Sequence, residues 1–246
     1  MAEYQNIRTA GVGTRAATID AGLRAHMNKV YGLMSVAMVL TGAVAWSVGS
    51  SEALIAIFRD PITMRPNILG WAVMFAPLIM VFAFGAMINR LSAAAAQLFF
   101  YAFAGVMGLS LAWIFQVFTG VSIAQTFFVT AIAFAGLSLY GYTTKKNLSG
   151  WGTFLMMGVI GLLVASVVNI FLQSPALMFA ISAIGVLVFA GLTAFDTQNI
   201  KNTYLEHANS MDDEWMAKSA IMGALNLYMN FINLFMFLLS FLGNRE

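Results

Sequence analysis

One carboxylate stands alone in a long uncharged part of the chain. Asp196 is the sole acidic residue between Asp60 and Glu206, and it follows an apolar segment in Ala194-Phe195-Asp196-Thr197-Gln198-Asn199-Ile200-Lys201. A carboxylate at or inside a membrane boundary is costly to keep ionised, and such groups mark ion or proton pathways. A cation, Arg90, ends an earlier apolar segment on the same side by topological parity. The two could pair and close an inner mouth, or each could sit solvated at headgroup level, where arginine snorkels. A third polar set is Asn226, Asn230 and Asn233. Spacings of four and three put these amides on one helical face. In a membrane helix such a stripe turns to the bundle or to a wet cavity, and both interhelical hydrogen bonding and ion contact are open to it. Asn169 is a further interior polar candidate.

Catalytic constellations do not emerge. There is no G-x-S-x-G elbow, H-E-x-x-H pair or Walker loop. The two histidines, His26 and His207, lie in polar segments outside the expected spans, and Asp196 is the only acid in or beside one. This argues against serine and aspartyl intramembrane proteases and against nucleotide-driven pumping, so the chain is not expected to be an enzyme. Cysteine is absent, which removes disulfides and thiolate metal sites. No cofactor is expected.

The elements that must position these residues are apolar helices. Only 9% of the residues are charged and 61% are hydrophobic, where a soluble domain carries about 25% charge. The net charge of +2, without clustered Lys and Arg, excludes a nucleic-acid footprint. A membrane span needs about 20 mostly apolar residues. Seven segments qualify: about 30–48, 68–88, 93–118, 121–142, 151–172, 176–195 and 220–242. Uninterrupted apolar runs exclude the alternating pattern of a barrel, and backbone in lipid must then be helical. The expected fold is an all-α integral membrane protein, a seven-transmembrane-helix bundle. Residues 1–27 read as a cytoplasmic N-terminal tail, partly disordered, and 28–246 as the transmembrane domain. The tail has no apolar h-region, so the first span is expected to serve as its own insertion signal. Residues 197–217 read as a charged loop. The expected N-in, C-out orientation follows from Arg8, Arg15, Arg24, Lys29, Arg90, Lys145, Lys146, Lys201 and Lys218 on one side against Arg59, Arg65 and Arg245 on the other. An even span count would instead put both termini inside.

Two stretches carry a resemblance. Phe195-Asp196-Thr197-Gln198 with Ile200-Lys201, then Ala224-Leu225-Asn226-Leu227-Tyr228-Met229-Asn230-Phe231-Ile232-Asn233-Leu234-Phe235 and a Gly243-Asn244-Arg245 end, resemble the Bax inhibitor-1 family of transmembrane Bax-inhibitor-motif proteins, in a bacterial form. The resemblance covers about residues 28–245. It implies a seven-helix bundle with the last helix central and surrounded by the other six, in a bacterial inner membrane. It also implies a pH-sensitive calcium leak, with calcium or protons as partners beside the lipid bilayer. In that family two aspartates share a proton and set closure. The first maps onto Asp196, and Arg90 matches a basic residue at the end of the second span. The second maps onto Asn230, a departure, because an amide removes the like-charge repulsion that makes a di-acid a proton sensor. Asp196 is then expected to stay ionised unless burial dominates. The pathway residues implied are Asp196, Asn230, Arg90, Asn226 and Asn233, with Asp196 a weak calcium ligand, since a calcium site normally takes six to eight oxygens. The family's link to stress and quality control implies an alternative: a non-conducting regulator that binds another membrane protein, such as a protease or secretion component. Counting from the expected span ends is at odds with the family pairing. It places Asp196 opposite Met222 instead of Asn230.

Overall fold

A computed structural model describes residues 2–60, 62–63, 65–208, 210 and 212–244, with side chains from residue 19 onwards. Its regular elements are helices: α1 (Ala2–Gly49), α2 (Glu52–Ala56), α3 (Ile68–Met87), α4 (Ala93–Leu111, continued as a 3-10 turn over Ala112–Gln116), α5 (Gly120–Thr143), α6 (Trp151–Leu172), α7 (Pro175–His207) and α8 (Asp213–Leu242). Among the described residues, seven helices are long and apolar enough to cross a membrane, at the seven places the charge pattern predicts. Their starts follow from local chemistry. Asn67, Ser92, Thr119, Ser174 and Asp212 each accept a hydrogen bond from a backbone N–H in the first turn of the helix that follows, and Pro175 supplies a preset first residue to α7. At the other end of α6, Gln173 turns left-handed (φ 49°), and Asn169 Oδ1 accepts from the Ser174 N–H at 3.0 Å. Asn169 is therefore a buried lock on the α6–α7 turn.

The last helix is central. α8 packs against α1, α4, α5 and α7, while α3 lies outside on α4 and α6 lies outside on α7. The most extensive contacts of α8 are thus with four of the other six spans. Tyr228 of α8 is fully buried and meets Phe100 and Phe103 edge-on. Thr41 Oγ1 gives its proton to the Ala104 carbonyl at 2.8 Å, so the Tyr228 hydroxyl donates to Thr41 at 2.7 Å. One tyrosine thereby ties α8, α1 and α4. Close crossings rest on glycine: a Cβ at Gly108 would meet the Thr41 carbonyl oxygen at 2.6 Å, and one at Gly141 would run into the Ala194 carbonyl. The faces of α3 and α6 that turn away from the bundle expose Trp71, Phe82, Phe154 and Phe171 and are built for lipid.

Three expected boundaries move. α7 does not stop at Phe195. It runs on to His207 and α8 begins at Asp213, so most of the loop expected over 197–217 is helical. A 33-residue helix is ~50 Å long, well beyond ~30 Å of hydrocarbon, so its last turns need not be apolar. α1 likewise buries Leu23, His26 and Met27, so the packed body begins before residue 28; the rest of the expected tail, up to residue 18, lies outside the described side chains. His26 is correspondingly no solvated tail residue: its ring packs at a tilt against Tyr204 of the α7 extension, 5.0 Å between centroids.

Candidate functional site

Asp196 lies inside α7, 11 residues before its last residue His207, ~16 Å along the axis. Asn230 of α8, 5% exposed, donates through Nδ2 to Asp196 Oδ2 at 2.6 Å. This is the pairing the resemblance implies and counting from span ends misses. The reason is register. Further along the same seam Ser182 meets Ser240 at 3.2 Å and Gly185 meets Phe237, so α7 begins more than a turn beyond the level of Leu242. The two helix ends are not level: the Ser182–Ser240 level moves Asp196 from Met222 to Asn226, and the bond to Asn230 spans the one remaining turn.

The polar residues after Asp196 each fasten α7 to a different neighbour. Thr197 is fully buried, and its Oγ1 donates to the Thr193 carbonyl at 2.8 Å. Ser138 of α5 lies 3.0 Å from that oxygen and Tyr31 of α1 lies 2.6 Å from Ser138. With the Thr197 proton committed, the chain runs Tyr31 to Ser138 to Thr197, each hydroxyl donating to the next. Gln198 clamps the α5–α6 connection. Its Oε1 accepts from the Leu148 N–H at 2.7 Å and its Nε2 donates to the Lys146 carbonyl at 2.8 Å. Lys201 Nζ donates to the Tyr142 carbonyl at 2.7 Å, placing a cation at the C-terminal end of α5 where the helix dipole favours it. These anchors hold the Asp196 turn rigidly against α1, α5 and α8.

The remaining expected site residues fare differently. Arg90 is exposed, and it makes no ion pair with Asp196. Among the described residues the one ion pair is Lys218–Glu214, at 3.5 Å. Arg90 follows α3, which packs on α4, and Asp196 is withdrawn from the end of its helix, so shared parity does not become contact. Asn233 turns its Nδ2 back to the Met229 carbonyl of its own helix at 2.8 Å, and Asn226 is exposed one turn before Asn230. Glu214 makes a polar contact that the sequence does not predict: its Oε1 accepts from the Ala93 N–H at 2.6 Å, joining the first turn of α8 to the first turn of α4. An acid beside a helix N-terminus is a common signal, but nothing in the sequence says which helix. Among the described residues no group of three or more His, Cys, Asp or Glu gathers to hold a metal. Asp196 with amide and hydroxyl neighbours can stabilise a cation in passing, and a carboxylate fixed by a neutral donor keeps its second oxygen available.

Comparison with known proteins places this geometry. Residues 23–246 match the family model described as "Inhibitor of apoptosis-promoting Bax1". Inner membrane protein YbhL of Escherichia coli K12 is 46% identical over 226 residues, covering 92% of this chain and 94% of that protein. An uncharacterised protein of Caulobacter vibrioides is 48% identical over 233 residues, 93% of this chain and 92% of its own length. Protein RP147 of Rickettsia prowazekii is 43% identical over 239 residues, 97% and 98% of the two chains.

Proposed function

This chain belongs to the Bax inhibitor-1 family, and from that premise we propose that it is a passive cation leak of a bacterial inner membrane, with calcium as the permeant ion and no catalytic step. The orientation that fits is N-terminus in the cytoplasm and C-terminus outside, from the distribution of Lys and Arg. One observation carries the reading: a single carboxylate, Asp196, sits within the bundle on the seam of the central helix and is held there by the Asn230 amide. Intramembrane acids are retained where they serve an ion or proton. Asp196 is the anionic waypoint. Asn230 orients it, and Asn226 and Asn233 offer neutral amides along the same face. One carboxylate with amides binds calcium weakly, which suits passage and not storage.

The test is calcium uptake into proteoliposomes across a pH series, for the native chain and Asp196→Asn. Uptake by the native chain that falls when the carboxylate becomes an amide is the expected result. If neither passes calcium at any pH, the leak reading is overturned. Recovery of a stoichiometric membrane-protein partner on gentle solubilisation would then favour a regulatory role.

A further inference from the structure

Resting on the leak reading, we propose that the crevice between α6, α7 and α8 at the Asn169 end is the far mouth of the path that contains Asp196, and that the Phe237 ring closes it. Asn226, Asn230, Asn233, Phe237 and Ser240 recur every three or four residues of α8, so they share one face. On α7, Ser182, Gly185, Phe189, Thr193 and Asp196 recur in the same way. The two stripes meet. Asn230 bonds Asp196 at one end, and the Ser182 and Ser240 hydroxyls meet at 3.2 Å at the other. Between the two polar contacts lies Phe237. Its ring occupies the space a side chain at Gly185 would fill, since a Cβ there would meet ring carbons at 2.6 Å. Phe189 stacks beside it, centroid to centroid 5.8 Å. In a face otherwise made of amides and a hydroxyl, Phe237 is the apolar member.

Beyond the ring the molecule opens. A crevice of about 570 Å³ holds Ser166, Asn169, Ser182 and Ser240 in a mainly apolar lining that includes Trp113, Phe118, Met236 and Phe237. Four polar side chains gathered in such a lining are the places where water would enter from this end. Ser182 and Asp196 are 14 residues apart, ~21 Å along α7, which is most of the hydrocarbon thickness. A hydrophobic constriction between two wet ends gates by dewetting. Gly185 is what allows the ring to lie flat across the seam. Removing the ring and filling its seat should therefore have the same effect.

The chain has no cysteine, so an introduced thiol is the sole thiol present. Asn233→Cys lies between the ring and the Asp196–Asn230 pair, and Ser240→Cys lies in the crevice. Each is treated in sealed proteoliposomes with a membrane-impermeant methanethiosulfonate added outside. The Ser240→Cys signal calibrates the molecules whose crevice faces outward. Expected is rapid labelling of Ser240→Cys in every background. Asn233→Cys should label slowly in the native background and at least about tenfold faster with Phe237→Ala or Gly185→Ala, as loss of a dewetted constriction implies. Two routes to the same change guard against one variant misfolding. Equal labelling of Asn233→Cys in all backgrounds, or protection of Ser240→Cys, overturns the assignment of Phe237 and the crevice. Calcium flux in the same vesicles reads the leak separately: flux with unchanged labelling sinks the gate alone, and faster labelling without flux sinks the leak alone.

Discussion

Replacing Asn230 by Leu should destabilise the bundle by leaving Asp196 without its donor. Asn230 is 5% exposed, so water has little room to take its place, and leucine keeps the branched shape without the donor. A hydrogen bond to a charged group contributes roughly 1.5–3 kcal/mol, and a buried charge stripped of its partner costs at least that much. With an unfolding entropy of ~2.1 cal/mol/K per residue, a chain of 246 residues loses ~0.5 kcal/mol per degree, so the expected drop in Tm is roughly 3–6 °C. Thermal unfolding in detergent, followed by tryptophan fluorescence, reads this directly. A double-mutant cycle isolates the contact. Asp196→Leu with Asn230→Leu removes both polar partners, and the pair should be nearer the native Tm than the sum of the singles predicts. Acidification that protonates Asp196 turns the contact into a neutral hydrogen bond, and the cost of Asn230→Leu should shrink to ~0.5–1.5 kcal/mol. If Asn230→Leu melts as the native chain does at neutral pH, the acid–amide contact is not part of what holds the seam.

Further outcomes follow from the anchors around the site. Gln198→Ala removes both hydrogen bonds to the α5–α6 connection, so trypsin should cut after Lys145 or Lys146 faster than in the native chain, read as fragments on a gel. Thr41→Val leaves the Tyr228 hydroxyl buried without an acceptor at a cost of ~1–3 kcal/mol, whereas Tyr228→Phe leaves Thr41 still donating to Ala104 at ~0.5–1.5 kcal/mol; the first should lower Tm more. In the loop between α2 and α3, the N–H groups of Thr63 and Ile62 and the Thr63 hydroxyl hold the Asp60 carboxyl below its usual value of 3.8. Such a group stabilises the turn above pH 3.8 and ceases to as pH falls through its lowered folded value. Amide exchange at Ile62 and Thr63, corrected for intrinsic rates, should lose protection in that acid window, and Asp60→Asn should remove the step.

What was legible in the sequence follows the physics of charge in lipid. The seven spans could be placed because charged residues are scarce within them and gather in the connections. The end of α7 could not be read the same way. Lys201 looks like the first charge of a loop, yet the Tyr142 carbonyl receives it and the helix continues. Arg90 and Asp196 share a membrane side, but parity fixes a side and not a neighbour. The Asp196–Asn230 contact was visible only through the family resemblance, because counting assumes level helix ends and α7 overshoots α8. Thr197 and Gln198 belong to the motif that carries the resemblance, which gives them no role. Four polar residues in a row after an apolar span, 196 to 199, are the signal that could have marked them as anchors, since polar groups inside a bundle must find partners.

In the leak proposed above, the amide at position 230 would set the response to protons. In the native chain the contact is Nδ2–H to carboxylate at 2.6 Å, which needs no shared proton and persists whether or not Asp196 is protonated. Asn230→Asp would put two carboxyl oxygens in that space. They cannot both be ionised at such a separation, so over a range of pH the pair holds one proton between them and loses its protons in two steps that belong to the pair. With the proton, the seam keeps a hydrogen bond like the native one. Without it, like charges push α7 and α8 apart at the point where the path is narrowest in polar groups. Calcium flux through Asn230→Asp should therefore rise with pH across a step that the native profile lacks, and the variant should lose thermal stability over the same interval. Superimposable flux and melting profiles for the two proteins would mean that residue 230 does not control closure, and the constriction at Phe237 would then be the barrier that remains.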